Sequence, residues 1–209
     1  MIKLYTWNTP NGRKASIALE ELELPYEVFP IDIGKNEQFD PDFLAISPNN
    51  KIPAIVDGDL TLFESGAILL YLARKADRLI PKEGAVEYWR TMEWLMWQVG
   101  GLGPMLGQAH HFLRFNKGVS AYAEKRYGDE ASRLYGVLDR RLAGESFVAG
   151  PMTVADIAIW CWASRFEFQN IDLRDFPNVR RWYLQLAERP AFDRGYRQPD
   201  DKGPIPLPE

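Results

Sequence analysis

NNKIPAIVDGDLTLFESGAILLYLA, residues 49–73, decides the fold. Ala54–Asp57 is a short strand, Asp57-Gly58-Asp59 is a hairpin turn, and Leu60–Phe63 is the returning strand. Ser65 then opens a helix whose apolar side carries Ala67, Ile68, Leu69 and Leu72. Pro53 cannot donate to a ladder, so it suits the first position of a strand or an edge. About 5–6% of X–Pro bonds are cis, so frequency alone favours a trans proline that starts the strand. A cis bond would instead turn the backbone of Ile52 outward, where it can pair with an extended peptide.

The pattern continues on both sides. Upstream, Ile2–Thr6 reads as a strand, Gly12–Leu22 as a helix and Tyr26–Ile31 as a strand, followed by turn-rich residues 34–50. Downstream, residues 77–85 form a linker with Pro81 and Gly84, and strand signals then cease. Helices are expected over 86–113, 119–142, 153–168 and 179–187. Gly100, Gly101, Gly103 and Pro104 interrupt the first of these and should kink it. Thr153 to Asp156 fits a capping box with Asp in place of Glu. The expected architecture is an α/β domain over 1–78, an all-helical domain over 86–196, and a Pro-rich tail over 197–209 that is extended or wraps the body.

Composition narrows the function. The 209 residues carry a net charge of −4 with scattered Lys and Arg, which is no footprint for nucleic acid. No apolar run reaches membrane-spanning length, and the start of the chain lacks a basic-then-apolar signal segment. Cys161, the one cysteine, excludes a disulfide within the chain and makes the cytoplasm the default location. Cys161 sits between Trp160 and Trp162 in an apolar helix and reads as inert core. His110 and His111 are helix neighbours that point apart, so no paired metal site is expected.

Three loops carry chemistry. Asn8-Thr9-Pro10-Asn11-Gly12 lies where a strand feeds a helix, so it caps the helix, holds a ligand at its N-terminus, or does both. Lys51 and Ile52 offer a cation and a peptide-pairing backbone. Ser65, read as a helix N-cap, offers a hydroxyl and free N–H groups for a carboxylate, and Glu64 a partner for an ammonium. Capping alone would also account for Ser65. A short peptide with an α-amino acid at one end, a carboxylate at the other and a reactive group between fits all three loops. Glutathione is such a peptide.

With these residues in view, the chain over about 1–195 resembles the glutathione transferase family. The stretches TPNG, ISPNNKIPAIV, LFESGAILLYLA and WQVGGLGPMLGQ, with TVADIA in the helical half, resemble its bacterial nu class of glutathione-dependent disulfide-bond oxidoreductases. The resemblance implies a thioredoxin-like first domain, a homodimer, and a site able to hold two glutathiones or the disulfide. By that likeness a cis Pro53 follows Ile52, whose backbone pairs with the cysteinyl unit. Glu64 and Ser65 hold the γ-glutamyl end and Lys51 the glycyl carboxylate. Thr9 and Asn11 face the sulfur as the catalytic pair, and Gln38 and Arg126 add contacts. The implied reaction is disulfide reduction with glutathione as the thiol source and no metal. Conjugation of glutathione to an electrophile, and a non-catalytic docking module, are the alternatives. Arg126 by itself reads as a solvated helix charge.

Overall fold

The computed structural model describes residues 1–208. It divides into two compact units, Met1–Ile80 with Glu188–Ile205, and Pro81–Ala187 with the chain from Pro206 on. In the first unit, β1 (Ile2–Thr6), α1 (Pro10–Glu21) and β2 (Tyr26–Pro30) form a parallel crossover. A short helix, α2 (Pro41–Ile46), leads to the antiparallel hairpin β3 (Ala54–Asp57) and β4 (Leu60–Phe63), and α3 (Ser65–Ala76) follows. The sheet order is β2-β1-β3-β4, with Leu4 paired to Val28 on one side and to Ile55 on the other. This is the thioredoxin-like arrangement.

Alternation along β1 sets the layers. Ile2, Leu4 and Thr6 are buried, whereas Tyr5 turns to the other face and stacks on Phe29 at 5.0 Å, beside Phe43 of α2. Helices α1 and α3 pack on each other, with Ile17, Ala18, Ile68 and Leu72 fully buried. Pro10 takes the first helical position, where its missing N–H costs nothing, so α1 starts two residues before the expected Gly12. The expected turn region 34–50 contains α2, capped by the side chain of Asp40 and opened by Pro41. Six residues among turn formers leave too little periodicity to read.

The second unit is helical. The expected single helix 86–113 is α4 (Val86–Trp97), a π-turn (Gln98–Leu102), α5 (Gly103–His110) and a second π-turn (His111–Phe115). The first π-turn ends just before Pro104, whose ring and missing N–H disturb the preceding turn. Then come α6 (Ala121–Leu142), α7 (Val154–Ala163), a 3₁₀ turn (Phe166–Gln169) and α8 (Pro177–Ala187). Helix α7 stops earlier than the expected Phe168, and every residue in it is buried. Its capping box is present. Asp156 accepts from the N–H of Thr153 at 2.9 Å, from that of Val148 at 3.0 Å and from Trp182 Nε1 at 3.0 Å.

After α8 the chain rejoins the first unit. Helix α9 (Pro190–Tyr196), which falls within the segment read from sequence as helical domain, packs on α1. Arg13 donates from Nε to the Tyr196 carbonyl at 3.0 Å, and Ser16 Oγ donates to the Gly195 carbonyl at 2.7 Å. The backbones meet so closely that a Cβ on Gly195 would lie 2.6 Å from the Ile17 nitrogen. Up to Pro206 the tail is docked rather than free, with Ile205 buried and Tyr183 Oη donating to the Pro206 carbonyl at 2.6 Å.

Candidate functional site

Strand directions collect the predicted residues at one edge of the sheet. The parallel strands β1 and β2 end together, Thr6 opposite Pro30, so the loops bearing Thr9 and Gln38 leave from the same edge. β3 runs antiparallel to β1, with Ala54 opposite Tyr5, so its entry loop, Lys51 to Pro53, lies there too. β4 returns, with Phe63 opposite Ala54, and delivers Glu64 and Ser65 to the same place. Seven of the eight residues singled out from sequence therefore share this edge. Arg126 belongs to the second unit, on α6, where with Met105, Tyr122 and Tyr127 it lines a cavity of about 530 Å³.

Thr9 is the N-cap of α1. Its Oγ1 accepts from the Gly12 N–H at 3.1 Å. A hydroxyl that accepts one bond keeps its proton, so Thr9 can still donate outward. The cap falls to Thr9, and Asn11 is the second residue of the helix. No acidic residue occupies the first turn, so the positive helix end is not neutralised there. Gly12 is needed for this geometry, since a Cβ would sit 2.2 Å from the Trp7 carbonyl oxygen. Tyr5, on the sheet face opposite the buried Leu4 and Thr6, stacks on Phe29 and serves packing.

The Ile52–Pro53 bond is cis. Ile52 precedes β3, and none of the backbone hydrogen bonds among the described residues takes up its N–H or carbonyl. The loop is fixed from behind by the buried Ser47, whose Oγ donates to the Lys51 carbonyl at 2.8 Å, while the Lys51 side chain is exposed. Gln38 keeps a buried Oε1 with no partner, an atom that a ligand or a water would satisfy.

Glu64 is a correction to the reading of Ser65. Glu64 occupies the cap position of α3, at φ 71° and ψ 112° and with no side-chain capping bond, and Ser65 is the first helical residue. A non-glycine residue at positive φ costs about 1–3 kcal/mol and persists where the surroundings enforce it. The Ser65 hydroxyl is engaged from within, for Lys14 Nζ of α1 donates to it at 3.2 Å. Lys14 is only 2% exposed. Sequence reading missed it because nothing local separates it from the neighbouring Arg13 and Lys residues of other helices.

Cys161 is fully buried in α7 of the second unit. His110 is also buried, within hydrogen-bond reach of Gln169 Nε2 at 3.0 Å, and Gln169 in turn accepts from Tyr135 Oη at 2.7 Å. Burial, helped by the Arg165 charge, pulls its imidazole down to about 4. His111 is exposed and lies against Phe112 instead. Among the described residues no three His, Cys, Asp or Glu side chains are grouped to hold a metal ion, and no helix is long and apolar enough to cross a membrane.

Comparison with known proteins identifies relatives of this architecture. The family profile "Glutathione S-transferase, N-terminal domain" matches residues 1–74, and "Glutathione S-transferase, C-terminal domain" matches residues 121–184. The disulfide-bond oxidoreductase YfcG of Escherichia coli (strain K12) is 49% identical over 199 residues, covering 91% of this chain and 92% of YfcG. Among solved structures, a glutathione transferase family member from Pseudomonas fluorescens pf-5 with two glutathiones bound aligns with a TM-score of 0.89 and 42% identity, over 93% of this chain and 92% of that one. A glutathione transferase from Pseudomonas putida, with one glutathione disulfide bound per subunit, aligns with a TM-score of 0.89 and 41% identity, over 95% and 91%.

Proposed function

The chain belongs to the glutathione S-transferase family, and on that premise we propose that it is a glutathione-dependent disulfide-bond oxidoreductase. The observation that carries the chemistry is the division between its sulfur and its donors. The single cysteine is buried in the second unit, while the sheet edge offers a hydroxyl with its proton available at the start of a helix. The protein then supplies position and electrostatics, and glutathione supplies both sulfurs.

The unpaired N–H and carbonyl of Ile52 receive the cysteinyl backbone as a short added strand. Glu64 faces the γ-glutamyl ammonium and Ser65 its carboxylate, Lys51 meets the glycyl carboxylate, and Gln38 adds a contact. This places the sulfur at the start of α1. A free thiol has a pKa of about 8.5, so the Thr9 proton, the Asn11 amide and the positive helix end act by favouring thiolate. The thiolate attacks one sulfur of the substrate disulfide, forming a mixed disulfide and releasing the other sulfur as a thiolate that takes up a proton. A second glutathione thiolate attacks the glutathione sulfur of that species. The products are two substrate thiols and one glutathione disulfide, so electrons and protons balance. A homodimer that works with small disulfides is part of the same reading.

The test is turnover of a small disulfide with glutathione by the wild type and by Cys161→Ala. The variant should keep at least about half the wild-type turnover, with a stability loss of about 1 kcal/mol from the lost sulfur. A folded Cys161→Ala protein without turnover would overturn the thiol-free mechanism. Turnover only with an electrophilic aromatic would assign conjugation instead.

A further inference from the structure

We propose that Lys14 is a positioning residue for the γ-glutamyl carboxylate, acting through Ser65 and resting on the glutathione reading above. Lysine is almost never fully buried unless its ammonium is engaged, and α1 buries two cations in succession, Arg13 at 1% and Lys14 at 2% exposed. Their uses differ. Arg13 ties the unit together, with its guanidinium 3.5 Å above the Tyr196 ring and its Nε on the Tyr196 carbonyl. Lys14 points to the edge where the ligand-facing loops collect and donates to Ser65 Oγ at 3.2 Å.

Two consequences follow for a carboxylate bound at the start of α3. A serine hydroxyl has one proton and two lone pairs. With one lone pair occupied by the ammonium, the proton is directed away from Lys14, so the hydroxyl is set to donate before the ligand arrives. As an ammonium, Lys14 also adds positive charge to the partial charge of the α3 N-terminus. At 2% exposure that charge is poorly screened by water. Ser65 is itself 9% exposed, which leaves its outer side as the point of contact. Lys14 thus tunes the carboxylate pocket without touching the ligand. A lysine that merely cross-linked α1 to α3 would have no preference for a carboxylate.

The experiment compares two peptides on the full-length protein by calorimetry. One is glutathione. The other is 4-aminobutyryl-cysteinylglycine, which lacks only the γ-glutamyl carboxylate. Wild type, Lys14→Met and Lys14→Gln are titrated with both, and melting temperatures are recorded alongside. The wild type should prefer glutathione by roughly ten- to a hundredfold, the range for a hydrogen-bonded charged group. Lys14→Met should shrink that preference to a few-fold by weakening glutathione alone. Lys14→Gln, which removes the charge but keeps a donor for Ser65, should fall between and guards against a Lys14→Met chain that does not fold. Equal losses for both peptides, or an unchanged preference in a folded variant, would overturn the positioning role alone. A wild type that binds neither peptide would overturn the glutathione reading and this role with it.

Discussion

Thr9 caps α1 with the lone pair that meets the Gly12 N–H and keeps its proton, so this cap and the proposed catalysis use different parts of one hydroxyl. Thr9→Val removes both parts, Thr9→Ser removes neither, and Asn11→Ala removes only an amide. A lost donor at a developing oxyanion costs about 2.7–4 kcal/mol, and a thiolate, being softer, less. Thr9→Val and Asn11→Ala should lower disulfide turnover more than tenfold, change glutathione affinity only a few-fold, and move the pH–rate profile upward. Thr9→Ser should retain activity. Unshifted profiles with full activity in both variants would leave this stretch as a cap alone. His110 makes a pH prediction. Its folded pKa, about 4, lies below its ordinary 6.5, so the unfolded chain binds more protons between these values. Stability from this residue is therefore present above pH 6.5 and lost as pH falls toward 4, by about 3 kcal/mol in all. Denaturant unfolding at pH 7 and pH 5 should show a smaller pH-dependent loss in His110→Asn than in the wild type. Identical losses would mean that His110 is solvated.

Helix α7 shows how an element can hang on one side chain. The Asp156 carboxylate accepts from Val148, Thr153 and Trp182, which joins the cap of α7 to the preceding loop and to α8. The box was visible in sequence because Thr153 and Asp156 sit three apart, while the donors from Val148 and Trp182 come from distant positions. Asp156→Ala would orphan three buried donors, so a loss of about 3 kcal/mol or more is expected, or roughly 10 °C in melting temperature for a chain of this size. Asp156→Asn, able to accept with one oxygen, should lose less. Equal melting of wild type and Asp156→Ala would refute the dependence. The helix boundaries teach a related lesson. The break before Pro104 was legible because proline's missing N–H is a local fact, but its form, a π-turn over Gln98–Leu102, was not. Short α2 and α9 were not legible at all, because six or seven residues carry barely two turns of pattern.

Across the whole molecule, Glu188–Ile205 completes the first unit. Arg189 pairs with Glu21 at 2.6 Å and Arg194 with Glu20 at 2.6 Å, while Phe192 and Tyr196 are buried. Deleting 188–209 should strip the cover from α1, the helix that carries Thr9, Asn11 and Lys14, and abolish soluble glutathione-binding protein. Deleting 206–209 removes the Tyr183–Pro206 bond and should cost only about 1 kcal/mol. Soluble yield, melting and calorimetry measure both. A 188–209 deletion that folds and binds glutathione normally would contradict the role of α9.

The sequence by itself determined the strands, the hairpin and the order of α/β unit before helices, and it singled out the three loops that carry the proposed chemistry. Those depend on neighbours two to four residues apart, through alternation, turn residues and caps. Tertiary structure decided which atoms face which. Strand direction brought Thr9, Gln38, Ile52 and Ser65 to one edge. Packing put Lys14 on Ser65, 51 positions away, and folded α9 back onto α1. Such pairings follow from burial and chain direction in three dimensions, and they leave no periodic trace along the chain.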